Sequence, residues 1–126
     1  MIDVQIINRP IIEPVSGDES WKLVHDFYVQ VDGIPFTVPA GFVTDGASIP
    51  RFLWRICGHP MSTKRLPIAI FHDYLYSGLI PFSRKYADEI YRDGLIKPFG
   101  FPRWEANTEY YVLRLFGGSH WKGENK

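Results

Sequence analysis

The segment IFHDYLYSGLIPFSRKYADEIYRDGL holds four side chains suited to acid–base chemistry: His72, Asp73, Tyr76 and Asp88. Residues four apart share a helix face, so His72 and Tyr76 project together, whereas Asp73 is rotated by about 100° from His72. His72 and Asp73 therefore face different partners. Asp88 follows after a short connection, and helices joined in this way usually pack antiparallel, which would bring Asp88 to His72.

A histidine held by a carboxylate is typical of a general base, because the carboxylate fixes the tautomer and leaves the other ring nitrogen to accept a proton. In this pattern Asp88 orients His72 and Tyr76 holds Asp88. Asp73 is a hard-oxygen ligand of the kind calcium prefers, and the segment TDGAS adds the Asp45 carboxylate and a flexible backbone at Gly46. The sequence predicts calcium on one side of the site and proton transfer on the other.

The order T-D-G-x-S, H-D-x-x-Y and S-R-x-x-x-D-x-x-Y-x-D, which covers residues 44–93, resembles the bacterial and fungal branch of secreted phospholipase A2. The resemblance implies a calcium-dependent lipid ester hydrolase that acts on phospholipid at a membrane surface. Residue by residue, it implies Asp45, Gly46 and Asp73 at calcium, His72 as general base, Asp88 as its orienting partner and Tyr76 as support. Those lipases are stapled by disulfides, whereas Cys57 is the single cysteine of this chain.

A second resemblance covers more of the chain. The segments VPAGFVTDGASIPRFLW and HDYLY, with a later AD helix, are similar to a family of small phage and prophage proteins of unknown function. This resemblance implies a phage origin and no established activity. The two resemblances are compatible, since the phage family can be a disulfide-free relative of the lipase scaffold.

Each signal also has a structural interpretation. Asp-Gly is most often a turn, and His72 can be a partly buried helix residue bonded to a carbonyl. Asp88 and Asp93 can be exposed charges paired with arginines of their own helix. Four aromatic residues are candidates for membrane contact, although a core role is the better interpretation of each: Phe52, Trp54, Phe101 and Trp104. Zinc is disfavoured because the four histidines lack ligand spacing.

The 126 residues suit one domain, and 45% are hydrophobic, which favours a folded chain. Lysine plus arginine equals aspartate plus glutamate, so a nucleic-acid partner is not expected. We expect the protein in the cytoplasm of a bacterial host, with virion association as the alternative. The reasons are its single cysteine and the absence from the sequence of a signal peptide or a transmembrane run.

The elements that must position the site form a small α+β domain: β-rich to about residue 43, the DG loop and helices over 44–118, and a tail from 119. Asp32-Gly33 between β-prone runs predicts a hairpin with Pro35 at a sheet edge. Helices are predicted from Ser48 to Gly58, from Lys64 to Ser77, from a Ser83 cap to Gly94, and from Pro102 to Gly117. The second and third form the antiparallel pair that carries the HD and AD motifs.

Two functions follow from these patterns. The first is a phospholipase A2-like ester hydrolase. The second is a non-catalytic phage virion, tail or host-interaction protein whose partner is a phage or host protein. In that protein the helix with His72 and Asp73 would only stabilise the fold.

Overall fold

A computed structural model describes residues 1–15, 20–44 and 64–123 of the chain. The first of the four predicted helices, from Ser48 to Gly58, lies outside the described residues. Within them an N-terminal, antiparallel β region precedes three α-helices, which confirms the predicted α+β class. The strands are β1 (Val4–Ile6), β2 (Ile12–Pro14), β3 (Trp21–Leu23), β4 (Phe27–Val31), β5 (Ile34–Val38) and β6 (Val43–Thr44). The helices are α1 (Leu66–Tyr76), α2 (Arg84–Ile96) and α3 (Arg103–Phe116), followed by a 3-10 turn at Gly117–His120.

The predicted hairpin joins β4 to β5. Asp32 and Gly33 occupy the turn with φ of 49° and 80°, the positive values that a two-residue hairpin turn requires. Gln30 pairs with Pro35 in the resulting ladder. Pro35 lies on an outer strand, because the sheet order is β1-β4-β5, so its missing N–H costs no ladder hydrogen bond.

In the sequence, a period-2 alternation that predicts β-strands places these residues on one side: Trp21, Leu23, Phe27, Val29 and Val31. The structure divides this pattern between two sheets. Residues 24–26 separate β3, which lies in the sheet β2-β3-β6, from β4, which is central in β1-β4-β5. The inward positions of the pattern hold nonetheless, since Leu23, Phe27, Val29 and Val31 are all buried.

Local signals account for where the helices begin. Pro67 lies in the first turn of α1, where a missing N–H is tolerated, and the side chain of Ser83 accepts a hydrogen bond from Tyr86 N at 3.1 Å to cap α2. The third described helix begins after Pro102, as predicted. These three helices confirm the predicted segments to within a few residues.

The predicted end of α2 at Gly94 is wrong, because the helix continues to Ile96. Gly94 is a point of close packing: a Cβ there would lie 2.5 Å from Cδ1 of Ile68 on α1. The glycine therefore permits α1 and α2 to approach, and the helix tolerates it because this packing offsets its low propensity.

The two aromatics flanking the start of α3 differ in environment. Phe101 is buried, which agrees with a core role, whereas Trp104 is 71% exposed and the core interpretation of it is wrong. Phe52 and Trp54 lie outside the described residues. Among the residues that the structure describes, no helix combines the length and apolar character needed to cross a bilayer.

A buried ion pair fixes α3 against the start of α1. Arg65 Nε and Nη2 donate to both carboxylate oxygens of Glu109 at 2.8–3.2 Å, and the Tyr91 hydroxyl donates to Glu109 Oε1 at 2.8 Å. Glu105 also accepts from Arg65 Nη2, at 3.1 Å. Because the forked guanidinium matches a carboxylate in one orientation only, this pair sets how α3 lies across α1 and α2.

Candidate active site

His72 lies in the core with only 2% of its surface exposed. Eight of the eleven residues of α1 are buried, so the helix passes through the protein and carries the imidazole inward. Its Nε2 atom lies 2.8 Å from Asp88 Oδ1 on α2. The antiparallel packing therefore brings together the two residues that the sequence paired, 16 positions apart.

Asp88 is fully buried, and both of its carboxylate oxygens accept hydrogen bonds. Oδ1 accepts from the Tyr76 hydroxyl at 2.5 Å as well as facing His72, and Oδ2 accepts from Arg114 Nη1 at 2.9 Å. Arg84 Nη1 lies 3.7 Å from Oδ2. The interpretation of Asp88 as an exposed charge is wrong, because the carboxylate is enclosed by three helices.

The protonation states in this cluster follow from its contacts. Burial alone would raise the pKa of Asp88, but hydrogen bonds from His72, Tyr76 and Arg114, together with charge attraction, hold that pKa below its ordinary value. Burial first, and the Asp88 charge second, raise the pKa of Tyr76. Asp88 is thus a carboxylate at neutral pH, and Tyr76 is a protonated donor to it.

These states select the tautomer of His72. An ionised carboxylate only accepts hydrogen bonds, so Nε2 must carry the proton that His72 directs at Asp88. In the neutral ring Nδ1 is then the unprotonated nitrogen with a lone pair. Nδ1 lies 4.0 Å from Asp73 Oδ1, so the basic side of the ring faces the carboxylate next to it in sequence.

Asp73 connects the helix to the β region. The Thr44 hydroxyl donates a hydrogen bond to Asp73 Oδ2, and Thr44 is the last residue of β6. The chain continues from there to Asp45 and Gly46, which lie outside the described residues. The predicted proximity of Asp45 to Asp73 thus stays a prediction, although the residue before Asp45 contacts Asp73 directly.

The oxygen atoms beside His72 could form part of a metal site. Among the residues the structure describes, no three His, Cys, Asp or Glu side chains converge to hold one. Asp73 and Thr44 supply oxygen atoms at one place, and oxygen is what calcium selects. The described part thus fits one edge of a calcium site, and further ligands would have to come from the segment that begins at Asp45.

Two functional contacts were not predicted. Arg114 reaches Asp88 from α3, 26 residues away in sequence, and Thr44 reaches Asp73 from 29 residues away. Helix and strand periodicity indicates contacts between residues near in sequence, so it does not indicate pairs this far apart. The interpretation of Asp93 as an exposed charge is wrong, because Asp93 is buried and its Oδ2 accepts from Ile2 N at 2.9 Å. Its expected pairing with an arginine of the same helix is confirmed, since Arg92 Nε lies 3.0 Å from Oδ1.

Comparison with known proteins gives a family and two relatives. Residues 21–113 match the family model described as "Protein of unknown function (DUF1353)". The chain is 29% identical over 120 residues to uncharacterized protein y4jT of Sinorhizobium fredii (strain NBRC 101917 / NGR234), which covers 94% of the chain and 32% of that protein. It is 30% identical over 109 residues to uncharacterized protein y4iH of the same strain, covering 82% of the chain and 43% of that protein.

The chain therefore spans less than half the length of both relatives. No solved structure matches it.

Proposed function

We propose that this chain, which belongs to the DUF1353 family of proteins of unknown function, is a calcium-dependent ester hydrolase of the phospholipase A2 type, encoded by a phage or prophage. One observation carries the proposal: Asp88 holds His72 by Nε2, which leaves Nδ1 as a base beside Asp73. The phospholipid substrate and the phage origin rest on the sequence resemblances.

His72 would act as the general base through Nδ1. Nδ1 accepts a proton from a water that attacks the ester carbonyl carbon, and the ring becomes an imidazolium. Asp88 stabilises that cation through Nε2–H, and the carboxylate keeps its place because Tyr76 and Arg114 bind its oxygens. The ring then returns the proton to the leaving alkoxide oxygen.

Calcium would be held by Asp73 together with Asp45 and Gly46. When bound, the ion polarises the ester carbonyl and stabilises negative charge on its oxygen. The hydrogen bond from Thr44 orients the Asp73 carboxylate, as an outer-shell donor orients a carboxylate that binds a metal ion.

A second candidate is a non-catalytic phage virion, tail or host-interaction protein. The observation that favours it is the burial of His72, which is 2% exposed and has its Nε2 satisfied by Asp88. A buried hydrogen-bonded network of this kind can hold three helices together with no turnover. In that case the chain binds a phage or host protein, and neither calcium nor lipid.

An assay of fatty-acid release from phospholipid vesicles, with calcium and with chelator, tests the proposal. We expect calcium-dependent release by the native chain, and a loss of about 100-fold or more in His72→Asn and Asp73→Asn, because each removes a group used in the reaction. His25→Asn is the matched control, since His25 is exposed and outside the cluster. Circular dichroism establishes that each variant is folded.

Release that is absent in the native chain, or that is equal in His72→Asn and His25→Asn, contradicts the hydrolase. It leaves the non-catalytic candidate.

A further inference from the structure

Gly117, at the end of α3, lies against the hydroxyl group of Tyr76. Gly117 is buried, and a Cβ atom there would lie 2.8 Å from the Tyr76 hydroxyl oxygen and 3.3 Å from Cε2 of the same ring. This hydroxyl donates to Asp88 Oδ1 at 2.5 Å, and Oδ1 also faces His72. The missing side chain of Gly117 therefore leaves the space in which the hydroxyl reaches Asp88.

The backbone of Gly117 does not itself require glycine. Its φ and ψ are −76° and −13°, in the right-handed helical region that residues with side chains readily adopt. Gly118, the next residue of the 3-10 turn, has no positive φ either. Among the described residues, the nearest atom to a Cβ at Gly118 is Arg84 Cζ at 3.8 Å, an ordinary contact. Steric contact with the Tyr76 hydroxyl is thus what distinguishes Gly117 from Gly118.

The ring of Tyr76 is closely packed, so it cannot yield freely to a new atom. Tyr76 is 3% exposed, and its ring centroid lies 4.2 Å from that of His72 and 5.2 Å from that of Trp121, which meets it edge-on at 88°. The Tyr76 carbonyl accepts a hydrogen bond from Lys122 N at 3.0 Å. A Cβ atom at position 117 would therefore displace the hydroxyl, or else move a ring that contacts His72 directly.

Arg84 of α2 fixes the end of α3 that carries Gly117. Its Nη1 donates to Leu113 O at 3.0 Å, and its Nη2 donates to Arg114 O at 3.2 Å. Carbonyl groups in the last turn of a helix are short of intrahelical donors, and arginine side chains bind them favourably. Because Asp88 lies one turn further along α2, the end of α3 is held in a fixed position relative to that carboxylate.

We propose that Gly117 is a positioning residue of the candidate active site. Because it lacks a side chain, Tyr76 can bind Asp88, and through Asp88 the glycine sets how His72 is held. The family match ends at residue 113, so Gly117 lies outside the matched range. The position of the hydroxyl does not depend on the hydrolytic chemistry, whereas its consequence for catalysis rests on the proposed function.

The NMR chemical shift of the His72 Nε2 nitrogen tests the position of the hydroxyl without reference to activity. The signal is identified by its loss in His72→Asn. Tyr76→Phe should displace this shift from its native value, because Asp88 Oδ1 loses one of its donors. Gly117→Ala should displace it in the same direction by a comparable amount. Gly118→Ala is the matched control and should leave the shift at its native value.

The double variant of Gly117→Ala with Tyr76→Phe separates contact with the hydroxyl from general packing. The atom 2.8 Å from the new Cβ is absent in phenylalanine, so we expect Gly117→Ala to add little to the displacement that Tyr76→Phe causes. A native shift in Gly117→Ala, or a displacement that adds in full to that of Tyr76→Phe, overturns the proposal.

Circular dichroism on each variant covers a loss of fold. If Gly117→Ala alone is unfolded, the double variant decides: recovery of the fold supports contact with the hydroxyl, and a double variant that is equally unfolded overturns it.

The consequence for catalysis is measured by fatty-acid release from phospholipid vesicles. Gly117→Ala and Tyr76→Phe should each lower kcat by about 10–100-fold with little change in KM, because a misplaced base affects the transition state more than binding. Gly118→Ala should keep native activity. A native chain that releases no fatty acid contradicts the hydrolase alone, since the His72 shift still tests the position of the hydroxyl. Native release with an unchanged kcat in Gly117→Ala overturns the positioning role.

Discussion

The geometry of the imidazole depends on how one carboxylate is shared. Asp88 Oδ1 accepts from His72 and Tyr76, and Oδ2 accepts from Arg114, so each oxygen has a separate set of donors. Because these donors come from two helices, α1 and α3, on which Asp88 of α2 depends, rotation of the carboxylate would break bonds to at least one of them. Asp88 is therefore a rigid support for His72, as a general base requires.

Asp88 should make stability depend on pH in the acid range. Its folded pKa lies below the ordinary value of 3.8, so its contribution is fully present above that pH and is lost as pH falls through the folded pKa. We expect the free energy of unfolding of the native chain, measured by urea titration, to decrease below about pH 4. Asp88→Asn should have a lower free energy of unfolding at neutral pH and a smaller decrease in acid. Parallel pH profiles for the two proteins would contradict the low pKa.

The contact of His72 with Asp88 was predictable from the sequence, whereas the contact of Arg114 with Asp88 was not. The contact between His72 and Asp88 was predictable because both lie on consecutive helices with regular spacing. Arg114 was not predictable, because its distance from Asp88 depends on how α3 crosses the other two helices. That crossing is set by the buried pair of Arg65 and Glu109, whose partners are 44 residues apart.

The packing of α1 on α2 depends on the missing side chain of Gly94. A glycine near the end of an apolar helix pattern reads as a stop signal, since most C-terminal glycines are caps. Here Gly94 is needed because Ile68 approaches it closely, and helix propensity does not indicate such tertiary packing. The hairpin was predictable for the opposite reason, because Asp32 and Gly33 encode their turn locally.

Gly94→Ala should destabilise the protein by about 1–3 kcal/mol, because its Cβ would lie 2.5 Å from Ile68 Cδ1, which overcomes the gain in helix propensity. Ile68→Val removes that Cδ1 atom and keeps the γ carbon 2.8 Å from the same Cβ, so it relieves the clash in part. We therefore expect the double variant to lose less stability than the sum of the two single variants, measured by urea denaturation as a double-mutant cycle. Additive losses, or a Gly94→Ala protein more stable than the native chain, would contradict the close packing.

At the scale of the whole molecule, the β region and the three described helices meet at the candidate site. The β region contacts Asp73 through Thr44, and the three described helices enclose Asp88. The family match extends over residues 21–113, which include Thr44, His72, Asp73 and Asp88, and the longer relatives contain further polypeptide beyond the matched region.

Calcium titration of the native chain by isothermal calorimetry, with Asp73→Asn beside it, tests the central claim most directly. The hydrolase proposal predicts one calcium ion bound per chain by the native protein, and binding weakened by about tenfold or more in the variant, because a charged oxygen ligand is lost. Absence of calcium binding at millimolar concentration, or equal binding by both proteins, would contradict the assignment of Asp73 to calcium.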